Sequence, residues 1–328
     1  MQEEILILGY GPVGRATTQH LLASGAEVRV AQRSRPADLP AGVAFTACDV
    51  LDPAAVTVAF KGAAQVVVSI GFAYDGAVWQ RDWPRAMANL LDAAAATRTR
   101  IVFLDNLYML GAQSAPLTED MPLAGKARKP AARAAITRQW QAAAARGEVR
   151  FAALRAPDFY GPGTPLSHLG DTAFGALARG KAAQLLMHPD TPHDFAYVPD
   201  IARAILLLLD APDADFNQVW NMPCAPTQTP RQILAAGFPR PRILAVPLRL
   251  QPLLGLALPF VRELVEMRFQ FDRPYAVDAR KFTTRFNFTP TAFAEGARQT
   301  AAAFANAPKV EIFAASRQNA ALTRPATA

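Results

Sequence analysis

Ile5-Leu6-Ile7-Leu8-Gly9-Tyr10-Gly11-Pro12-Val13-Gly14 sets four apolar residues in a row directly before three glycines. An apolar run of this kind reads as a strand buried on both faces, as in a parallel sheet covered by helices. The glycines follow the spacing G-x-G-x-x-G, and a helical pattern continues from Pro12 to about Ala23, where Gly25 ends it. In a strand–turn–helix context each glycine has its own reason. Gly9 permits a tight turn, Gly11 lets a ligand approach the backbone, and Gly14 lets the helix pack closely on the strand. Pro12 suits the first helical turn, and the unpaired N–H groups beside it, Val13 included, suit a diphosphate.

Working outward, strands are expected at 27–31, 43–47, 65–70, 100–104 and 150–154, with helices between them. Asp52-Pro53 starts one helix, with Asp52 as N-cap and Pro53 at the first helical position. Met87, Leu90, Leu91 and Ala94 recur at helical spacing in another, and 130–146 reads as a third. Strands separated by helices imply right-handed βαβ units. The expected fold is therefore α/β, a doubly wound parallel Rossmann sheet with a smaller C-terminal substrate lobe. Residues 1–158 form the dinucleotide-binding part and 159–305 the lobe, partly returning to the sheet. The tail 306–328 has no clear pattern and reads as mobile. In the lobe, Asp200 is expected to cap a helix whose Ile201, Ala204, Ile205 and Leu208 share one face. The apolar segment 248–267 reads as a pocket wall or as core.

Composition narrows the function classes. Of the 328 residues 51% are hydrophobic and 19% charged, so a packed core is expected rather than disorder. The net charge of +7 is spread, without a long Lys/Arg run or zinc-finger spacing, which argues against nucleic acid as a partner. Cys48 and Cys224 form neither a metal-ligand spacing nor a disulfide framework. His188 and His193 are separated by two prolines and share no helical face, so no metal site is expected there. The start lacks the basic and apolar regions of a signal peptide, and the apolar run 252–261 is too short to span a bilayer. A cytoplasmic protein with no membrane partner is the expectation.

The end of the second strand bears on cofactor choice. A site for NAD usually has an acid there, on the ribose hydroxyl. Ala31-Gln32-Arg33-Ser34-Arg35 has none, and its arginines and serine can pair with a 2′-phosphate. NADP(H) is therefore the expected cofactor and NAD(H) the alternative. Asp49 and Val50 fall where an adenine would lie, and Ile70, Gly71 and Phe72 would line the far side of the cofactor.

Four further stretches join the glycine motif in a resemblance. They are Cys48-Asp49-Val50, Ile101 to Asn106, Leu154-Arg155-Ala156-Pro157-Asp158-Phe159-Tyr160-Gly161-Pro162-Gly163, and His193 to Ala202. In their order and spacing the chain resembles the extended short-chain dehydrogenase/reductases, in the NAD-dependent epimerase/dehydratase group. The likeness covers about 3–305, and Pro157 joins the cofactor-contacting positions it implies. The shorter glycine loop is similar to that of the isoflavone-reductase-like and NmrA-like branches.

The resemblance implies a Ser or Thr after strand five and a Tyr-x-x-x-Lys on the next helix. Neither is present. Asn106 stands at the Ser/Thr position, flanked by Asp105 and Tyr108; Lys129 and Arg133 best match the Tyr and Lys positions. Lys129 is the candidate proton donor and Arg133 the fixed charge. The alternative is that Lys129 belongs to a solvated basic stretch, since the residue before Pro130 is pushed out of helical geometry. Tyr108 is a second candidate acid, or a packing ring. Asn106 can orient a substrate carbonyl through its amide hydrogens.

Sugar-nucleotide members usually carry an arginine just before Asp194 to grip the diphosphate, and His193 is a poor replacement. The leading expectation is an NADP(H)-dependent oxidoreductase reducing a small or apolar carbonyl or enone substrate. The alternatives are a non-catalytic NADP(H)-binding regulator, and an epimerase or dehydratase with an unusual base. The resemblance also implies a homodimer through two long helices.

Overall fold

The computed structural model describes residues 4–307. Seven parallel strands form the central sheet, in the order β10-β6-β5-β4-β1-β2-β3. They are β1 (Glu4–Leu8), β2 (Val28–Gln32), β3 (Ala44–Ala47), β4 (Ala63–Val68), β5 (Arg100–Asp105), β6 (Arg150–Arg155) and β10 (Gln218–Asn221). The first strand is central, with β2 on one side and β4 on the other, as its unbroken apolar run requires. Alternate residues of β1 enter opposite cores. Leu6 and Leu8 pack with Val66, Ile101 and Phe103 on one face; Ile5 and Ile7 pack with Val30, Val67 and Val102 on the other.

Helices cover both faces. On one lie α2 (Pro53–Phe60), α3 (Gly76–Thr97) and α4 (Arg128–Ala145); on the other, α1 (Pro12–Ala23) packs against α6 (Val198–Leu209). Asp52 caps α2 by accepting from the N–H groups of Ala54 and Ala55, at 2.9 and 3.3 Å. Asp52→Ala is expected to cost about 1 kcal/mol of stability in a denaturant titration, with no effect on ligand binding. The helix α4 begins at Arg128, so Lys129 lies inside the first turn. Pro130 is tolerated there because the first four N–H groups of a helix have no intrahelical partner.

The strand order reverses between β1 and β4, opening a crevice at the carboxyl ends of these strands. The smaller C-terminal part adds two two-stranded sheets and several helices. It comprises β7 (Asp158–Tyr160), α5 (Ala176–Ala178), β8 (Ala183–Leu185), β9 (Phe195–Tyr197), α7 (Pro230–Gly237), β11 (Ile243–Ala245), α8 (Gln251–Ala257), α9 (Pro259–Val265), α10 (Arg280–Phe286) and α11 (Phe293–Ala305). Tyr160, Phe174, Phe195, Ile233, Leu234 and Phe293 belong to its core. Parallel pairs β7–β9 and β8–β11 connect its segments.

Two expectations need correction. Asp200 is not the cap of α6, whose N-cap is Tyr197. Its buried carboxylate instead accepts from Thr291, through the backbone N–H at 2.6 Å and the hydroxyl at 2.8 Å, and so fastens α6 to the segment before α11. The segment 248–267 divides: Val261, Leu264 and Met267 are buried, whereas Leu253 and Leu256 are 67% and 84% exposed. The expected tail lies outside the described residues from 308 on. Among the described residues no helix is long and apolar enough to cross a membrane.

Candidate functional site

The glycine turn joins β1 to α1. Gly9 has φ +98°, and a Cβ on it would meet the Ser69 carbonyl oxygen at 2.8 Å. A Cβ on Gly14 would lie 2.0 Å from the carbonyl oxygen of Gly9, whereas one on Gly11 would meet nothing within 4 Å. Strand, turn and helix are therefore pressed together at two glycines and open at the third. Gly11 is the N-cap of α1 and supplies no side-chain cap; Pro12 has no N–H. The N–H groups of Val13 and Gly14 fall in the turn where helix geometry provides no partner.

Gln32, expected beside the ribose, is engaged at the base of the turn. Its Oε1 accepts from the Tyr10 N–H at 3.1 Å, and its Nε2 donates to the Ser34 carbonyl at 2.8 Å. Arg33, Ser34 and Arg35 follow on the exposed rim. An acid that the sequence reading passed over, Asp38, pairs with Arg15 of α1 at 2.7 Å. Asp49 is exposed and closes a small turn by accepting from the Leu51 N–H, while Val50 is buried below it. After β4, Ile70 and Phe72 are half-buried and Gly71 is exposed; Pro157, after β6, is buried.

The carboxyl ends of β5 and β6 carry buried charges. Asp105 accepts from Arg133 Nε at 2.9 Å and also from its Nη2. That guanidinium lies 4.2 Å from the centre of the Trp83 ring. Asn106 is held by its own Oδ1, which accepts from the Tyr108 N–H at 3.0 Å; this leaves its amide hydrogens for another partner.

Lys129 is fully buried and turned toward α9. Its ammonium donates to the Glu263 carbonyl at 3.0 Å, the Glu263 carboxylate at 2.6 Å and the Glu266 carboxylate at 2.5 Å. Three acceptors account for its three N–H donors. This is neither a solvated lysine nor a free ammonium facing a substrate. The same two glutamates also serve helix starts: Glu263 accepts from the Gly76 N–H at 2.8 Å and Glu266 from the Arg128 N–H at 3.0 Å. The helix α4 has no side-chain cap of its own, and α9 supplies one from a distant part of the chain.

Beside this clamp lies a cluster of rings and titratable groups. The hydroxyls of Tyr74, after β4, and Tyr108, after β5, are hydrogen-bonded to each other. Trp79 stacks on Tyr108 with ring centres 6.0 Å apart. Burial holds both tyrosines protonated far into alkaline pH, and nearby Asp158 adds to the effect on Tyr108. His193 lies flat between Phe271 and Tyr275, at 5.4 and 5.0 Å. Its Nδ1 is 3.2 Å from the Gln270 carbonyl and its Nε2 2.9 Å from Asp158 Oδ2. A carbonyl only accepts, so Nδ1 carries a hydrogen, and the second contact needs one more proton shared between ring and carboxylate. Burial alone would raise the Asp158 carboxyl; His168 and the bond from His193 outweigh it and bring it below its ordinary range. Burial lowers His168 and so favours its neutral form.

The structure thus gathers Asn106, Tyr108 and Arg133 at one end of the sheet and turns Lys129 aside. Tyr74, His168 and Tyr275 had no motif to mark them. Asp158 and His193 stood in quoted stretches, but nothing in the sequence paired them.

Comparison with known proteins sets this geometry in context. The model of the NAD dependent epimerase/dehydratase family matches residues 5–222. No curated protein sequence matches. Among solved structures, the UDP-glucose 4-epimerase of Thermus thermophilus, in complex with NAD, is 21% identical with a TM-score of 0.75, covering 93% of this chain and 100% of that one. The dTDP-glucose 4,6-dehydratase of Bacillus anthracis, also with NAD, is 16% identical with a TM-score of 0.75, over 92% of this chain and 96% of that one. The UDP-glucose 4-epimerase of Thermotoga maritima, with UDP-glucose, is 18% identical with a TM-score of 0.73, over 92% and 98%. At such identities the likeness is one of fold.

Proposed function

Because the chain belongs to the NAD-dependent epimerase/dehydratase family, we propose that it binds NADP(H) more tightly than NAD(H) and exchanges a hydride with a small carbonyl or enone substrate. One observation carries the reading: Gly9 and Gly14 have no room for a Cβ, while Gly11 between them faces open space at the start of a helix. That cradle fits a diphosphate, which the N–H groups of Val13 and Gly14 and the positive end of α1 would hold. Arg33, Ser34 and Arg35 would meet a 2′-phosphate, and Asp49, Val50, Ile70, Gly71, Phe72 and Pro157 would line the remainder. The nicotinamide, when bound, supplies or accepts the hydride.

The chain's own residues handle the proton. Lys129 has no donor to spare, so the role passes to Tyr108. Its hydroxyl stays protonated at neutral pH, sits at the carboxyl end of β5 and is hydrogen-bonded to a second hydroxyl, that of Tyr74. Arg133 opposes the effect of burial on Tyr108 and so eases release of its proton. Asn106 has its oxygen tied to the backbone and offers its amide hydrogens to a carbonyl.

The test is to titrate the protein with NADPH and NADH, then screen carbonyl compounds by cofactor absorbance. Tighter binding of NADPH and slow or fast oxidation with a substrate are expected. Tyr108→Phe should lower turnover about 100-fold while leaving NADPH affinity unchanged. Full activity in that variant would remove Tyr108 from the mechanism. Tight cofactor binding with no oxidation across the screen would replace the enzyme reading with that of a regulator. The second reading, epimerisation or dehydration through transient oxidation, is favoured by the likeness to epimerases and dehydratases along nearly the whole chain. It predicts substrate conversion with no net change in cofactor absorbance.

A further inference from the structure

We propose that the exposed face of α8 and the turns beside it form a docking surface for an anionic lipid bilayer, which the leucines enter while the neighbouring arginines meet the headgroups. The inference is independent of the hydride-transfer reading. The expectation of no membrane partner rests on runs too short to span a bilayer; lying on its surface needs no such run.

Of the eight large apolar side chains exposed among the described residues, five fall in one short stretch: Leu244, Leu250, Leu253, Leu256 and Leu258. Single exposed apolar residues are ordinary, whereas a concentration of them marks a contact surface. The helix α8 packs on α9 at Gly255, where a Cβ would lie 3.0 Å from Arg262 Cα. At about 100° per residue, Leu253 and Leu256 share one side of α8, turned away from Gly255.

The charges around this face are of one sign. Between Asp215 and Glu263 the chain has no acid and five arginines. Arg231 is paired with Asp190. Arg240, Arg242, Arg249 and Arg262 are exposed and pair with no described acid. Exposed arginines elsewhere, such as Arg146, Arg280 and Arg298, each find a neighbouring carboxylate. Leucines among unpaired arginines match a lipid interface, where alkyl groups enter the acyl boundary and anionic headgroups attract the cations. A second copy of the chain suits the face badly: a symmetric contact would bring arginines together with no acid on either side. The chain's own segment 308–328 is also basic, with Lys309, Arg317 and Arg324 against Glu311. Protein interfaces draw their binding energy chiefly from tryptophan, tyrosine and arginine, with leucine under-represented. The Lys129 clamp on Glu263 and Glu266 ties α9 to the body of the protein, so a bilayer bound here holds the whole chain.

Co-sedimentation of the full chain with large vesicles tests this. At low salt, vesicles of about 30% phosphatidylglycerol in phosphatidylcholine should bind the protein at least ten-fold more tightly than pure phosphatidylcholine. Raising sodium chloride to about 0.5 M should weaken that binding. Because the whole chain is basic, charge must be separated from insertion. The double variant Leu253→Ser, Leu256→Ser changes two exposed side chains, should melt like the wild type, and should bind the mixed vesicles about ten-fold more weakly. The triple variant Arg240→Gln, Arg242→Gln, Arg249→Gln should bind more weakly and with a flatter salt dependence. No binding to the mixed vesicles, equal binding to both kinds, or binding untouched by the two serines would each overturn the proposal. Dimerisation that the two serines abolish would give the face to a second copy, and retention on an immobilised poly-glutamate peptide without vesicle binding would give it to an acidic protein; either result overturns it as well.

Discussion

Lys129→Ala is expected to destabilise the protein by about 3 kcal/mol, because it removes the buried cation between Glu263 and Glu266 and leaves them only the half-exposed Arg128. In a domain of this size that lowers the melting temperature by roughly 10 °C. The loss would spread beyond one side chain. Glu263 and Glu266 fasten α9 to the starts of α3 and α4, and each also accepts from a backbone N–H there. Their mutual repulsion without the ammonium would loosen both attachments. The combined variant Lys129→Met, Glu263→Gln, Glu266→Gln removes all three charges and should recover most of the stability. If Lys129 were instead the proton donor, its alanine variant would melt like the wild type and lack only activity.

The clamp also sets a pH dependence. Burial raises the Glu263 carboxyl, but the bonds from Lys129 and the Gly76 N–H outweigh it, and the net position lies below the ordinary value of 4.5. A carboxylate lowered on folding contributes stability above its unfolded value and loses that contribution as pH falls through its folded one. Thermal stability should therefore hold above about pH 5 and decline in more acidic buffer. In the triple variant this part of the decline should be absent.

These residues also show what the sequence could and could not tell. The apolar run Ile5–Leu8 and the glycine spacing are local signals, since neighbours in the chain create them. They placed the sheet, its order of elements and the cradle. Boundaries moved by one or two residues, as at Arg128, where an acid more than a hundred residues away supplies the cap. Lys129 was misleading for the same reason. Its own surroundings, Lys126-Ala127-Arg128-Lys129, read as a basic face, and its partners lie on a helix far along the chain. Asp200 looked like a cap because it stands directly before the apolar face of Ile201, Ala204, Ile205 and Leu208, and its partner Thr291 is likewise remote. The Asp158–His193 contact brings together a strand end, a lobe loop and the carbonyl of Gln270. Polar pairs of this kind depend on tertiary approach and leave no periodic trace.

Gly14→Ala and Gly11→Ala should fail in opposite ways, and the contrast tests the cradle directly. At Gly14 the added methyl would stand 2.0 Å from the Gly9 carbonyl oxygen, which is backbone and cannot swing aside. Either α1 moves away from β1 or the turn opens. A cost of about 3 kcal/mol is expected, together with loss of NADPH binding because the turn no longer has its shape. At Gly11 a methyl has free space, and φ is −76°, a value open to any residue. The fold should melt within a few degrees of the wild type, since an alanine N-cap costs on the order of 0.5–1 kcal/mol relative to glycine. Affinity for NADPH should nevertheless fall at least ten-fold, about 1.4 kcal/mol, because the methyl would occupy the place a diphosphate needs against the backbone. Calorimetric titration and a melting curve on each variant give the two readouts. A Gly11→Ala protein that binds NADPH like the wild type would show that no phosphate approaches this turn. The dinucleotide would then have to be sought elsewhere on the molecule.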